Sequence, residues 1–372
     1  MGEKTKSLVD GLLAEAGIKI NGSNPWDITV HDDRLYERVL SGGSLGVGES
    51  YMDGWWDVQE LDQFFERAFS ARLEQKIRQN VQLLLHGLRY TLINQQNRIR
   101  AFDIGKRHYD TGNDLFSRML DKNLTYSCGY WKGASNLDEA QDAKHDLICR
   151  KLGLKKGMRL LDIGCGWGGL IKYAAENYGV EAVGITVSRE QVEYAQEACK
   201  NLPVEIRYQD YRNLDEQFDR IASVGMVEHV GRRNYPVFMQ VAHRCLRPGG
   251  LFLLHTIGGN VSTFTTDPWI EKYIFPNSML PSLNQLSRAA EFKFIIEDVH
   301  NFGPHYDATL MTWDQNFRDH WHELKHNYDE RFYRMWRFYL MSSAASFRTR
   351  RIQLWQILLG KQPRPAIVTR ID

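Results

Sequence analysis

Residues Leu160 to Leu170 read LLDIGCGWGGL. An apolar run ends on an aspartate, breaks into glycines, and passes into the helix-forming stretch LIKYAAENY. Gly164, Gly166 and Gly169 satisfy the pattern G-x-G-x-x-G. A strand that turns on glycine into a helix is the opening unit of a doubly wound sheet. It commits the chain to parallel strands with a ligand at their carboxyl ends.

The pattern downstream agrees. From Lys151 onward, strand-like and helix-like segments alternate: MRLLDIG, EAVGITV, VEIRYQD, FDRIASVGM and LFLLHTI are separated by SREQVEYAQEACK, YPVFMQVAHRCL and similar stretches. That alternation predicts an α/β fold with a parallel, doubly wound sheet. After Pro268 the order loosens. An aromatic and basic helical region, Trp313 to Phe347, leads to IQLWQILL, which reads as a last strand.

A chain of 372 residues accommodates two domains. We expect an accessory, mainly helical lipid-docking domain at 1–85, a basic helical linker at 86–107, and a catalytic domain at 108–372. SLGVGESYMDGWWDV, from Ser44 to Val58, is rich in glycine and aromatics and is expected to be a tightly turned packing motif rather than a catalytic one. Residues 72–107 carry Arg72, Lys76, Arg78, Arg89, Arg98, Arg100, Lys106 and Arg107, with apolar residues at three- and four-residue spacing. Two readings stand side by side: a solvated basic face, or an interfacial helix that meets anionic head groups.

The glycine loop does not suit a dinucleotide. Such a site needs an acid about twenty residues on, for the ribose hydroxyls. Here the second strand ends GITVS, with Thr186 and Ser188 at that place. Asp162, inside the first strand, is a poor neighbour for pyrophosphate and a good one for an ammonium or sulfonium group. The loop therefore reads as a site for S-adenosylmethionine, with a purely structural glycine turn as the alternative. Asp210 and Tyr211, in QDYRNL after the third strand, lie at a carboxyl end where they can reach an adenine, although an aspartate there also serves as a turn or helix cap.

Glu228 and His229 follow the fourth strand in SVGMVEHVG, and His255 ends the fifth in LLHTIG. A carboxylate and an imidazole at the rim of neighbouring strands offer a base or an anion-binding pocket. YSCGYW, Tyr126 to Trp131, precedes the sheet and can fold over the cofactor, and GPHYDATL contributes Tyr306. His145 and Cys149 share a helix face, but no further ligands are spaced to complete a metal site.

Composition excludes other classes. The net charge of +1, with no N/D-P-P-Y type motif, argues against a nucleic-acid enzyme. Five cysteines without a C-x-x-C pair read as free thiols in a reducing compartment. The charged start MGEKTKSLVDGLLAEAGIKI is no signal peptide, and no stretch approaches a spanning helix. A cytoplasmic protein that meets a membrane from its inner face is the expectation.

HYDTGNDLF, YSCGYW, LDIGCGWGG, GITVS, EHVG, LLHTIG, DPWIEKYIFP, HNFG and IQLWQ occur in this order. Together with the glycine-rich N-terminal motif, they strongly resemble the bacterial cyclopropane-fatty-acyl-phospholipid synthases over nearly the whole chain. The resemblance implies a Rossmann-like class I methyltransferase fold with a mostly parallel seven-stranded sheet. It implies transfer of a methylene group from S-adenosylmethionine to a cis double bond of a phospholipid acyl chain. The family's cofactor site falls here on Tyr126, Ser127, Asp162, Gly164, Gly166, Gly168, Thr186, Gln191, Asp210 and Tyr211. Its bicarbonate pocket, the general base, falls on Cys128, Glu228, His255, Ile257 and Tyr306, with Cys128 and Ile257 contributing backbone groups. Relatives carry an aromatic residue before the EHVG glutamate, where this chain has Val227. A phospholipid bilayer and a second copy of the chain are the implied partners, and no nucleic acid. Two alternatives stand: a lipid methyltransferase that leaves a methyl branch, and a lipid-surface protein that uses S-adenosylmethionine as a regulator.

Overall fold

The computed structural model describes residues 2–74, 112–366 and 370–372. The expected linker at 86–107, and most of the basic stretch 72–107, lie outside the described residues. The described chain forms two compact units. One comprises 2–74, Phe264–Pro276 and Leu310–Ile352; the other comprises 112–263, Asn277–Thr309 and the residues from Gln353 onward.

In the first unit, helices Gly2–Glu15, Arg34–Met52 and Leu61–Ser70 surround a two-stranded antiparallel ribbon, β1 (Ile28–Val30) and β2 (Trp56–Val58). Its core is aromatic. Phe65 meets Phe338 edge to face at 4.9 Å, and Trp269 lies 4.5 Å from Phe338 between ring centroids. Such pairs contribute about 0.5–1.5 kcal/mol beyond their burial. The stretch from Ser44 to Val58 is a packing motif, as its composition suggests. A Cβ on Gly48 would stand 2.3 Å from the Trp269 indole, so only glycine allows the ring to seat there. The unit also departs from the expected cut along the sequence. Segments 264–276 and 310–352, expected in the catalytic domain, cluster with the N-terminal residues. The reason is the apolar face of helix Glu330–Arg348, with Trp336, Phe338, Tyr339 and Leu340 buried. Arg348 also binds Asp62 at 2.8 Å.

The second unit carries the expected sheet. Its strands are β3 (Arg159–Ile163), β4 (Glu181–Thr186), β5 (Val204–Tyr208), β6 (Phe218–Val224), β7 (Leu246–Gly259), β8 (Ile295–Asn301) and β9 (Ile352–Gly360). They run in the order β5-β4-β3-β6-β7-β9-β8. The pairs from β5 to β7 are parallel, and β8 is antiparallel to β9. Strand periodicity divides the core between the two faces. Leu161, Ile163, Val183, Ile185, Ile221 and Leu254 join one cluster; Leu160, Ala182, Ala222, Leu251 and Leu253 join the other. β8 was not evident from sequence. Its edge position leaves Ile295 and Ile296 partly exposed, which blurs the alternation.

Three helices align the loops at the carboxyl ends. Helix Leu137–Leu152 starts on Asn136, which accepts from Glu139 N, and stops at Gly153 in the left-handed region. Helix Gly169–Tyr178 follows the glycine loop. Helix Arg189–Cys199 is capped by Ser188, a cap worth about 1 kcal/mol.

Candidate active site

β3 is the central strand at the point where the order reverses, with β4 on one side and β6 on the other. Ligands of doubly wound sheets sit at such a switch point. A cavity of about 190 Å³ opens there. Its wall includes Tyr126, Ser127, Asp162, Gly164, Gly166, Thr186, Gln191, Asp210 and Tyr211, nine of the ten expected cofactor residues. The tenth, Gly168, is not in the wall. It holds φ +87° at the entrance to its helix, and a Cβ there would meet Ala195 at 3.2 Å. Gly168 therefore serves the turn and the helix packing, whereas Gly169 lines the cavity. Gly164 serves both. It holds φ +88°, and a Cβ would lie 2.7 Å from Met226 Cγ.

Asp162 is 2% exposed, and its Oδ1 has no hydrogen-bond partner. Burial raises its carboxyl to about 7, and the nearby charge of Lys144 opposes that shift. A buried carboxylate oxygen without a donor is costly. A cationic ligand removes the cost. At the far side Asp210 combines the two roles weighed for it: it accepts from Arg212 N and Arg212 Nε, each at 2.9 Å, while lining the cavity. Thr186 Oγ1 donates to Gln191 Oε1 at 2.6 Å, joining the end of β4 to the next helix.

The segment Leu124–Ser127 forms part of the wall, and side chains from its neighbours hold it in place. Asp121 accepts from Thr125 N at 2.7 Å, Gln141 Nε2 donates to Ser127 O at 2.7 Å, and Lys144 Nζ donates to Ser127 Oγ at 2.9 Å. Thr309 Oγ1 accepts from Gly129 N and Trp131 Nε1, and His305 Nδ1 accepts from Trp131 N. These fixing residues carry no motif. The one available signal was a lysine and a glutamine on the apolar stripe of a helix, at positions 141 and 144 beside Ala140 and Leu147.

The second expected set, Cys128, Glu228, His255, Ile257 and Tyr306, lies outside that wall. Val224 of β6 pairs with His255 of β7, so Glu228 leaves β6 beside the end of β7. Glu228 Oε1 accepts from Ile257 N at 2.7 Å, and Oε2 has no partner. Burial raises this carboxyl to about 7, against the pull of backbone N–H groups and the Thr256 hydroxyl. His255 Nδ1 contacts Gln356 Nε2 at 3.3 Å, and its Nε2 is buried without a partner. Burial, with Lys144 and Lys151 adding to it, pushes the imidazole well below its usual pKa and keeps it neutral. Cys128 is fully buried; its thiol donates to Gly129 O, and burial pushes its pKa up, so it is no nucleophile. Tyr306 is buried on helix Pro304–Asp319, one turn before Thr309. Val227 packs in the core with Tyr211 and Phe238.

The cavity thus carries an unpartnered buried carboxylate oxygen, and the ends of β6 and β7 carry two further buried polar atoms without partners. The family model for mycolic acid cyclopropane synthetase matches residues 96–357. The chain belongs to this family. It is 53% identical over 354 residues to the cyclopropane-fatty-acyl-phospholipid synthase of Escherichia coli (strain K12), an alignment covering 95% of this chain and 93% of that one. The solved cyclopropane synthase MmaA2 from Mycobacterium tuberculosis superposes with a TM-score of 0.67 at 32% identity, covering 72% of this chain and 100% of its own. The mycolic acid cyclopropane synthase CmaA1, solved with SAH and CTAB, gives a TM-score of 0.66 at 34% identity, covering 70% and 98%. The fold is that of the class I methyltransferases that use S-adenosylmethionine.

Proposed function

We propose that this chain is a cyclopropane-fatty-acyl-phospholipid synthase, which adds a methylene group from S-adenosylmethionine across the cis double bond of a phospholipid acyl chain. The carrying observation is the Glu228 carboxylate at the end of the sheet, pinned through one oxygen by Ile257 N–H with the other unclaimed. Closing the ring requires a proton acceptor at this place, and a carboxylate so held supports that step. The relationship to the Escherichia coli synthase over almost the full chain supports the same reading.

When bound, S-adenosylmethionine supplies an electrophilic methyl group. The chain's residues do the rest. Asp162 offsets positive charge, Asp210 and Tyr211 face the adenine end, and the fixed segment Leu124–Ser127 sets the distance to the acceptor. An isolated alkene is a weak nucleophile, so alignment matters; positioning can lower such barriers by ~7–11 kcal/mol in the best cases. Methyl transfer leaves a cation on the acyl chain. Loss of a proton from the new methyl then closes the ring. A bicarbonate ion fits the unclaimed atoms beside it: Glu228 and His255 would hold it, with Cys128, Ile257 and Tyr306 around it, and it would supply a small base. Because Ile257 N–H is engaged by Glu228, its contribution is to orient the carboxylate.

The acceptor requires a bilayer. Among the described residues no helix is long and apolar enough to cross a membrane. We therefore propose peripheral action from the cytoplasmic face, as a homodimer, with the N-terminal unit aiding docking. Purified protein, S-adenosylmethionine and vesicles of monounsaturated phospholipid provide the test. Acyl chains one methylene heavier, with olefinic protons replaced by cyclopropane protons in the NMR spectrum, confirm the synthase. A methyl-branched chain identifies the related methyltransferase, and cofactor binding without any product points to a regulatory role.

A further inference from the structure

Lys144 is the one buried ammonium in the cavity wall among the described residues, and the chemistry above does not use it. It is 1% exposed, on the buried face of its helix, beside the apolar Ala140, Leu147 and Ile148 and the polar Gln141. Its stem is long enough to carry the charge to solvent, as lysines at apolar surfaces do. Instead Nζ stays inside and donates to Ser127 Oγ at 2.9 Å. An ammonium has three donors, and this bond uses one of them.

Asp162 faces the same cavity with Oδ1 unpartnered. Lys144 feels the charge of Asp121 most and that of Asp162 as well, Asp162 feels Lys144, and no ion pair joins Lys144 to Asp162. Two buried opposite charges that served only stability would be in contact, because separation leaves both desolvation costs standing. A gap between them suits a ligand that carries both charges in the complementary order. The amino-acid end of S-adenosylmethionine is such a ligand: an ammonium for Asp162 and a carboxylate for Lys144.

We propose that Lys144 recognises the carboxylate of the cofactor's methionine moiety and forms with Asp162 a matched receptor for its zwitterionic end. The inference rests on the cofactor reading given above. It also assigns a role to Ser127. With its oxygen accepting from Lys144, the hydroxyl proton is left to donate, so Lys144 both contacts the carboxylate and aims a second donor at it.

The test is selectivity rather than affinity. Calorimetry compares S-adenosylhomocysteine with its decarboxylated analogue on the wild-type protein and on Lys144→Met, with Lys144→Gln as a second variant and thermal melting to verify folding. The wild-type protein should favour the carboxylate-bearing ligand by ~10- to 100-fold, the scale of a charged hydrogen bond. In both variants the ratio should collapse towards one, whatever common loss the two ligands share. A ratio that survives in a folded variant overturns the proposal, as does a wild-type protein that does not distinguish the ligands. Failure of the wild-type protein to bind either ligand overturns the cofactor reading itself, and this inference with it.

Discussion

The cavity at the end of β3 and the adjoining ends of β6 and β7 use buried carboxylates in different ways. Asp162 and Glu228 are both enclosed, and burial brings each to about 7. Asp162 has Lys144 as its charged neighbour and an unpartnered Oδ1. Glu228 is fixed by the backbone of the adjoining strand and is shifted by burial against neutral hydrogen-bond donors alone. The first arrangement suits capture of a positive ligand. The second suits a group that holds a proton or an anion next to the reacting carbons. On the proposed reading, the same chemical group serves binding in one place and proton handling in the other.

Removing each carboxylate separately should separate these roles. Glu228→Gln keeps the shape and a hydrogen-bond acceptor for Ile257 N–H. Turnover should fall ~10²- to 10⁴-fold, the range for loss of general acid–base assistance. Cofactor affinity measured by calorimetry on the same preparation should stay within about threefold; an equal loss of both would erase the distinction. Asp162→Asn should do the reverse, weakening cofactor binding ~10- to 100-fold, which equilibrium binding at neutral pH reads directly.

The pH dependence sharpens the same point. The raised carboxyl of Asp162 takes a proton as pH falls through about 7, and a cationic ligand binds the ionised form. Affinity should therefore drop below pH 7, approaching tenfold per unit, and decline again above about 8, where the buried Lys144 loses its charge. In Asp162→Asn this component should vanish. A wild-type profile flat from pH 6 to 8 would show that Asp162 does not meet the ligand's positive charge.

The smallest effects separate two glycines of one loop. Gly164→Ala and Gly168→Ala each place a side chain at positive φ, costing roughly 1–3 kcal/mol in stability. Thermal denaturation should register both. Gly164→Ala should also weaken cofactor binding, since its residue lines the cavity, and Gly168→Ala should leave the affinity of the folded fraction unchanged.

The two regions also differ in how far they could be read from sequence. The cavity wall is built from short-range chemistry: a glycine turn, an aspartate two residues before it, and polar residues at successive strand ends. Such features keep their spacing in the chain, so Asp162, Thr186 and Asp210 could be placed at the cavity from sequence. Gly168 stands outside the cavity wall, and the pattern alone does not distinguish glycines that face a cavity from those that face a helix. The fixing contacts are long-range. Thr309 holds Gly129 from 180 residues away, and Gln356 meets His255 from 101. Nothing local marks either. The same limit explains the domain cut: the aromatic stripe of Glu330–Arg348 was legible as a helix, but its packing with Leu61–Ser70 in the first unit was not. Deleting residues 1–85 would consequently expose that stripe, so such a truncation probes folding as well as lipid docking.

The central claim is that a proton leaves the transferred methyl group at the strand-end pocket. S-Adenosylmethionine with a trideuterated methyl group tests it most directly, with product acyl chains examined by mass spectrometry. The account predicts a ring carrying two deuterons, the third lost to solvent. A product retaining all three deuterons in a methyl branch would contradict it.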